Sequence, residues 1–446
     1  MMNRVVELLQ EKKYSEVKSA VQEMNEIDIA ELFLGIDDLE TTLRLFRLLP
    51  KQVAAEAFAY METDVQKRII EAITEKELRY ILDDIYLDDY VDLVEEMPAN
   101  VVMRVLKNSS KENRDLINQY LQYPEHSAGS LMTNEYVYLK RTLTVKQAFD
   151  VIRANGVDKE TIYTCYVISP ERRLEGVVTV RELLLTDPER KIEDIMSTNI
   201  IFVQTLDDQE HIARLFSKYD MLSMPVVDKE QRLVGIITID DAVDVIQSEN
   251  TEDFEKMAGM APSEESYIKS SVLAISKNRI GWISVLWACS LITGLLLEHY
   301  EAAISSLPLL VSFIPTLTGT SGNCGTQTST SIIRGMALDE IHLKDFFRVL
   351  WKEIRVALLC GSALAVLNFL RIWFQYHDAG VALTVSLTLI VIITVAKMLG
   401  SVLPMVAKLL KFDPAVMAAP LLNTLSDCCS VFVFFTLSFL LLGNRL

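Results

Sequence analysis

Five stretches in the C-terminal part of this chain run almost without charge: 280–297, 302–333, 356–370, 379–396 and 414–442. Roughly 20 predominantly apolar residues carry a helix across the hydrocarbon core of a bilayer. The runs lie near or above that length once the third is extended past Arg371 and the fourth past Lys397 to Ala407. The second is too long for one straight span. A chain with this pattern does not close into one soluble globule, and five membrane helices are expected between 271 and 446.

The second run is unusual inside. From Phe313 to Arg334 it carries hydroxyls, amides and glycines that a lipid-facing helix has no use for. Polar groups at membrane depth are tolerated where they are buried in protein or line a watery cavity. Gly319, Gly322 and Gly325 allow close approach of another backbone, and small residues alone are explained by tight helix packing. Asn323 and Gln327 are not, so a polar pathway is the better reading. Its neutral oxygens suit a hard cation that keeps much of its water. Asp427 lies in the middle of the last run, just after Asn423, Thr424 and Ser426. An intramembrane carboxylate is costly and marks function, and a negative charge in a pathway selects cations. Lys397 is the second ionisable group at depth. It either snorkels or pairs with a carboxylate such as Asp427.

Charge is segregated as strongly as hydropathy. The net charge is −18, yet from residue 271 onward 12 basic side chains stand against 9 acidic ones. The first 270 residues therefore hold 31 basic and 52 acidic groups. So acidic a half argues against nucleic acid and against anionic lipid as its partner and fits a cation ligand or plain solubility. Lys277, Arg279, Arg334, Lys344, Arg348, Lys352, Arg355, Lys408 and Lys411 fall on one side of the expected spans, and Arg371 and Arg445 on the other. The positive-inside rule then places the soluble half in the cytoplasm and the C-terminus outside. Residues 341–355 alternate aromatic and basic groups at helical spacing and are expected to lie in the cytoplasmic interface. No apolar signal region precedes Lys12, so no cleaved signal peptide is expected. The six cysteines show no metal-ligand spacing and read as small apolar residues.

The first 127 residues show helical periodicity, with Leu8, Leu9, Val17, Val21, Leu32 and Leu34 on apolar faces. Leu45–Pro50 and Val53 recur 48 residues later as Leu93–Pro98 and Val101, which predicts a small helical solenoid. Acidic pairs at 37–38, 83–84, 88–89 and 95–96 read individually as solvated helix ends.

A tandem repeat occupies 128–188 and 189–247. Leu131-Met132-Thr133 is echoed by Ile195-Met196-Ser197, and Glu171–Val180 by Glu230–Ile239. Each copy predicts strand, helix, strand, turn, strand, helix, with Gly176 and Gly235 opening the buried strands Val177-Val178 and Ile236-Ile237. An apolar strand ending in Thr, with an acid three residues on, makes the copies resemble a pair of cystathionine-β-synthase-type (CBS) modules. In such modules the Thr and acid often hold a nucleotide ribose, which here implies Thr179 and Glu182, the latter where the family usually has Asp. Arg172, Arg173 and Arg181 suit phosphates, so an adenosine ligand such as ATP is expected at the first copy, through Thr179, Arg181 and Glu182. The second copy is crowded by carboxylates.

From Asp240 to Glu255 the chain carries seven acids and no base: Asp240, Asp241, Asp244, Glu249, Glu252, Asp253 and Glu255. Like charges at helical spacing destabilise a helix, and a solvated face usually mixes signs. Bound divalent cations would relieve the repulsion. A connecting helix over 248–270, with Glu210 and Asp220 nearby, is therefore a candidate sensor at the mouth of the membrane domain.

Taken together, the helical N-domain (1–127), the CBS pair, the acidic connector and the five-span domain (271–446) resemble the MgtE family of bacterial magnesium channels. The most specific matches are Pro315–Gln327, with Gly322-Asn323, Gly325 and Gln327, and the segment from Asp413-Pro414-Ala415 through Pro420-Leu421 to Thr424-Leu425-Ser426-Asp427. The resemblance implies a homodimer with a Mg2+-selective pore between subunits, and Asp427 as its aspartate. It implies cytosolic sensing at Glu210, Asp220, Asp241, Asp244, Glu249, Glu252, Asp253 and Asp413, with weaker matches at Asp89 and Asp92. Ala419, where some members have Asn, and Lys397 depart from it. Two other classes fit less well: a transporter of Mn2+, Co2+ or Ni2+, for which no His or Cys cluster speaks, and a non-transporting membrane sensor of adenylates. No nucleophile–base pair or phosphate loop points to an enzyme.

Overall fold

The computed structural model describes residues 2–36, 38–157, 159–263, 267–268, 270–417 and 419–443. Asp37 and Arg445, used above, lie outside them. The chain divides into two compact units, Met1–Ile246 and Gln247–Leu446.

The first unit begins with short helices: α1 (Met2–Gln10), α2 (Tyr14–Val21), α3 (Glu26–Leu34), α4 (Leu39–Leu48), α5 (Lys51–Ala59), α6 (Thr63–Ala72), α7 (Glu75–Asp84), α8 (Leu87–Glu96), α9 (Ala99–Asn108) and α10 (Lys111–Tyr120). From α4 to α10 the helices start at residues 39, 51, 63, 75, 87, 99 and 111, a strict step of 12. The 48-residue echo is thus four of these units. Five of the seven starts from α4 to α10 are marked by a residue that cannot continue a helix or that caps the next one. Pro50 and Pro98 precede α5 and α9, and Asp38, Thr74 and Ser110 accept N–H bonds at the starts of α4, α7 and α10. Alternate helices stack, α3 on α5, α5 on α7 and α7 on α9, as a solenoid requires. Leu8, Leu9, Val17, Val21 and Leu32 are buried as expected, whereas Leu34 is exposed, because α3 ends there.

The repeat follows with α11 (Ala128–Leu131), β1 (Tyr136–Leu139), α12 (Val145–Asn155), β2 (Thr161–Ile168), β3 (Leu174–Thr179) and α13 (Val180–Leu185). The second copy is β4 (Val203–Gln204), α14 (Gln209–Tyr219), β5 (Ser223–Val227), β6 (Leu233–Thr238) and the start of α15 (Ile239–Met257). Each copy has a three-stranded sheet with its first strand parallel to the second and the third antiparallel. Gly176 and Gly235 sit inside β3 and β6 rather than opening them. Their reason is the swap between copies. Thr133 pairs with Ile236 and Ser197 with Val177, so each echoed tripeptide lies on the other copy's sheet. A Cβ on Gly176 would come within 2.7 Å of the Met196 sulfur, and one on Gly235 within 2.7 Å of the Met132 sulfur. The solenoid shares one core with the second copy, through Met132, Phe216 and Met224, while the first copy has its own core around Val145, Cys165 and Val178.

The second unit takes the rest of α15, then α16 (Val272–His299), α17 (Glu301–Ser306), α18 (Ile314–Ala337), α19 (Phe346–Tyr376), α20 (Ala379–Leu409) and α21 (Ala419–Leu442). The expected connector over 248–270 is helical only as far as Met257. Among the described residues, four helices are long and apolar enough to cross a membrane: α16, α19 with its 3-10 lead-in, α20 and α21. The long uncharged run is broken into α17, a 3-10 turn over Pro308–Phe313, and α18. At 24 residues α18 has the length of a span, but its polarity keeps it out of that count. The segment 341–355 is not a separate interfacial helix. Nothing between Phe346 and Tyr376 breaks helix, so its basic turn is the first part of α19, whose 31 residues reach about 46 Å, beyond a ~30 Å core.

Candidate functional site

α18 lies against both α20 and α21. Its inner face is fitted by small residues. A Cβ on Gly400 of α20 would clash with the Gly325 carbonyl oxygen, so the two helices touch through backbone. A Cβ on Gly322 would meet Asn423 Oδ1 of α21 at 2.9 Å. That oxygen accepts from the Thr326 hydroxyl at 3.1 Å, and Ser321 bonds Ser426 across the same seam. Gly322 and Gly325 therefore serve close packing, and the polar seam joins the two helices that bear the sequence match. The other face of α18 is polar and unburied: Thr316, Gly319, Asn323, Gln327, Thr330 and Arg334 are all exposed, at steps of three and four residues. Asp427 on α21 is half-buried and makes no hydrogen bond or ion pair among the described residues. Thr424 returns its hydroxyl to the Pro420 carbonyl at 3.1 Å.

Lys397 does not pair with Asp427. The residue is 6% exposed, and its ammonium stands 3.3 Å from Glu353 Oε2 on α19 and donates to Thr328 on α18 at 3.0 Å, while the Thr328 hydroxyl donates to the same Glu353 oxygen at 2.9 Å. A side chain that long reaches whichever carboxylate shares its helix interface, and that is Glu353. The charge is neutralised away from Asp427.

The carboxylate candidates outside the apolar helices fall into separate sets. In the first unit, Asp89 and Asp92 on α8 face Asp241 at the start of α15, with Asp240 and Glu135 near Asp89 and Glu95 and Glu96 near Asp92. Dehydration by surrounding protein, then the like charges, lifts the Asp89 carboxyl to about 7 and Asp92 to about 7. Asp89 is the stronger case, because Asp92 keeps an exposed side chain. Partial burial and Asp240 also raise Asp244. The two weakest sequence matches thus sit at the most strained carboxylate cluster. Glu135 was missed, and its position in the loop before β1 leaves no periodic signal. Glu210 pairs instead with Arg214 at 3.6 Å, and Asp220 caps α14 in a left-handed conformation, φ 50°.

In the second unit, Glu249, Glu252 and Asp253 lie on the last turns of α15. Glu252 and Asp413 are both bound by Lys256, the base that ends the acidic run. Burial would lower this ammonium's pKa, but the bonds to Asp413 and Glu252 outweigh it and raise it. The i,i+4 spacing of Glu252 and Lys256 was legible in the sequence. Among the described residues no three His, Cys, Asp or Glu side chains stand close enough to hold one bare metal ion.

In the first CBS copy, Thr179 and Glu182 bond each other as a capping box: Glu182 Oε2 accepts from Thr179 N at 2.7 Å and from its hydroxyl at 2.8 Å. Thr238 and Asp241 repeat this, hydroxyl to carboxylate at 2.7 Å. Arg181 points into solvent. The open cleft of this copy, about 720 Å³, is lined by Lys140, Arg141 and Arg172, not by Thr179, Arg181 or Glu182.

A bundle of apolar helices packed against one face of a polar helix, on the same chain as a helical solenoid and a two-copy α/β module, defines a multi-pass membrane protein with large additional domains. The family models agree. A divalent cation transporter model, MgtE, matches residues 314–437, the MgtE intracellular N domain matches 24–126, and CBS domains match 128–188 and 192–248. The chain is 33% identical over 98% of its length to the magnesium transporter MgtE of Thermus thermophilus, covering 97% of that protein. It is 29% identical over 97% of its length to that of Bacillus subtilis, covering 95% of it. Among solved structures, the cytosolic domain of the Mg2+ channel MgtE in complex with ATP aligns with a TM-score of 0.52 at 34% identity, over 55% of this chain and all of that one. This chain belongs to the MgtE family.

Proposed function

We propose that the protein is a magnesium-selective channel for Mg2+ uptake, working as a homodimer and closed by cytosolic Mg2+. One observation carries the pathway: the stripe Thr316, Asn323, Gln327, Thr330 and Arg334 on α18, left open in a single chain. Amides and hydroxyls at membrane depth do not face lipid. A second copy and a column of water complete them, and α16, with no buried residue, leaves further surface for that copy. The relatives named above are magnesium transporters rather than enzymes. With α18 counted as a span there are five. Lys277, Arg334, Lys344 and Lys408 then share the cytoplasmic side with the soluble half, and the C-terminus lies outside.

Asp427, Asn423, Thr424, Asn323 and Gln327 are hard oxygen donors. Mg2+ sheds water reluctantly, so a wide oxygen-lined site passes it with waters retained. The same property suits the sensor. Carboxylates too far apart to share a bare ion can share a hydrated one, as at Asp89, Asp92 and Asp241. With Mg2+ scarce, repulsion in this cluster loosens the soluble half; with Mg2+ abundant, hydrated ions bind Asp89, Asp92, Asp241, Asp244, Glu210 and Asp220 in the first unit and Glu249, Glu252, Asp253 and Asp413 in the second, and the pore closes. Several weak sites acting together supply the difference in affinity that closure needs.

The experiment is Mg2+ flux into liposomes, wild type against Asp427→Ala, with Mg2+ varied on the cytosolic face. Flux that falls as cytosolic Mg2+ rises, with conduction or selectivity altered in the variant, is expected. Transition-metal flux without Mg2+ flux would make it a transporter of Mn2+, Co2+ or Ni2+. No flux would leave an adenylate sensor.

An adenine nucleotide at the first CBS copy is the second reading, supported by the ATP complex of the related cytosolic domain. Glu182 has one carboxylate oxygen outside the capping box to accept ribose hydroxyls, and Arg181 would turn toward the phosphates. Calorimetry with ATP, wild type against Arg181→Ala, tests it; unchanged affinity removes Arg181 from the site.

A further inference from the structure

The end of α15 holds a cation of its own. Lys256 Nζ stands 2.7 Å from Asp413 Oδ2 and also bonds Glu252, one turn back on the same helix. Asp413 in turn accepts the Ala415 N–H at 2.8 Å through its other oxygen, which fixes it at the 3-10 turn leading into α21. Three residues past Lys256 the chain turns at Gly259, φ +70°, where a Cβ would meet Pro420 at 3.0 Å. The acidic helix is thus pinned to the root of the helix that carries Asn423, Thr424 and Asp427, and at the centre of the pin is an ammonium between two carboxylates.

We propose that Lys256 is a built-in competitor for the divalent ion at Glu252 and Asp413, an inference that rests on the feedback reading above. An ammonium and a hydrated Mg2+ both bind by donating protons to carboxylate oxygens, from N–H in one case and from bound water in the other. The oxygens facing Lys256 cannot serve both at once. The ammonium carries one charge against two carboxylates, so the pair keeps a net negative charge that draws a dication. Lys256 is 24% exposed on a flexible four-carbon stem, so it can swing into water as the ion enters. Because it is tethered, its local concentration does not change with conditions. It therefore raises the Mg2+ level at which this pair engages and sets the closing threshold, and it keeps α15 at the α21 root when Mg2+ is scarce.

The test compares wild type, Lys256→Gln and Lys256→Arg in two ways: Mg2+ flux in liposomes, and protease protection of the full chain in detergent, each against cytosolic or bath Mg2+. The Gln variant should close, and become protected, at Mg2+ concentrations lower on the order of 3- to 10-fold, the scale of a partly exposed ion pair. The Arg variant should stay near wild type. A midpoint for Lys256→Gln that is unchanged or raised would overturn the proposal and make Lys256 a clamp only. Should the Gln variant not fold, Lys256→Ala is read the same way. If wild type conducts but neither closes nor gains protection with Mg2+, the feedback reading falls and this inference with it; if wild type responds and the variants match it, only the role of Lys256 falls.

Discussion

Single residues decide how charge is carried at depth. Lys397, Glu353 and Thr328 form a neutral, mutually bonded set that ties α18, α19 and α20 together. Removing one partner strands the other in a poorly hydrated place, which costs about 3–5 kcal/mol. Lys397→Ala should therefore lower the melting temperature in detergent markedly, and Lys397→Met with Glu353→Met should recover most of it. A single variant that melts like wild type would show the pair to be dispensable. Asp89 and Asp92 make a pH-dependent case. Their folded pKa of about 7 lies above the ordinary carboxylate value of 3.8, so between those limits the folded state holds protons that the unfolded chain has released. Without divalent ions, their contribution to stability falls as pH rises from about 4 to about 7 and levels off above it. Mg2+ replaces the proton, so its stabilising effect should be small at pH 5 and large at pH 8, and Asp89→Asn should flatten that dependence. Melting curves at paired pH values, with Mg2+ and with chelator, measure this.

At the scale of elements, small residues set which helices touch. Gly325 and Gly400 let the α18 and α20 backbones meet, and the obstacle to a Cβ at Gly400 is a carbonyl oxygen rather than a flexible side chain. Gly400→Ala should cost about 1–3 kcal/mol through overpacking, seen as a lower melting temperature with the fold retained; unchanged stability would mean the helices separate freely. Caps are local, since Asp38, Thr74, Ser110 and Thr179 each bond the N–H three residues on, but of these only the Thr179–Glu182 pair was read from the sequence. What α18 faces was not legible, since the same glycines and serines serve both a packed seam and an open polar stripe.

At the scale of the whole molecule, the acidic α15 begins in the soluble unit and ends in the membrane unit. Neutralising Glu249, Glu252 and Asp253 together should abolish or strongly weaken closure by cytosolic Mg2+ while leaving conduction at low Mg2+ intact. Flux titrations in liposomes check it, and undiminished closure would remove the connector from the sensor.

Hydropathy, charge segregation and internal echoes were enough to foresee a solenoid, a CBS pair and an apolar helical domain, because each depends on residues close together in the chain. Burial of Val17 and Val21, the Thr-to-acid boxes and the polarity of Asn323 and Gln327 are of this kind. Which distant groups meet was decided by tertiary packing alone. Lys397 found Glu353 rather than Asp427; Lys256 settled between Glu252 and Asp413; α8 docked beside the start of α15 and turned Asp89 from a weak match into part of a strained cluster. Charges are paired by helices that lie far apart in sequence, and no periodicity records the angle at which those helices cross.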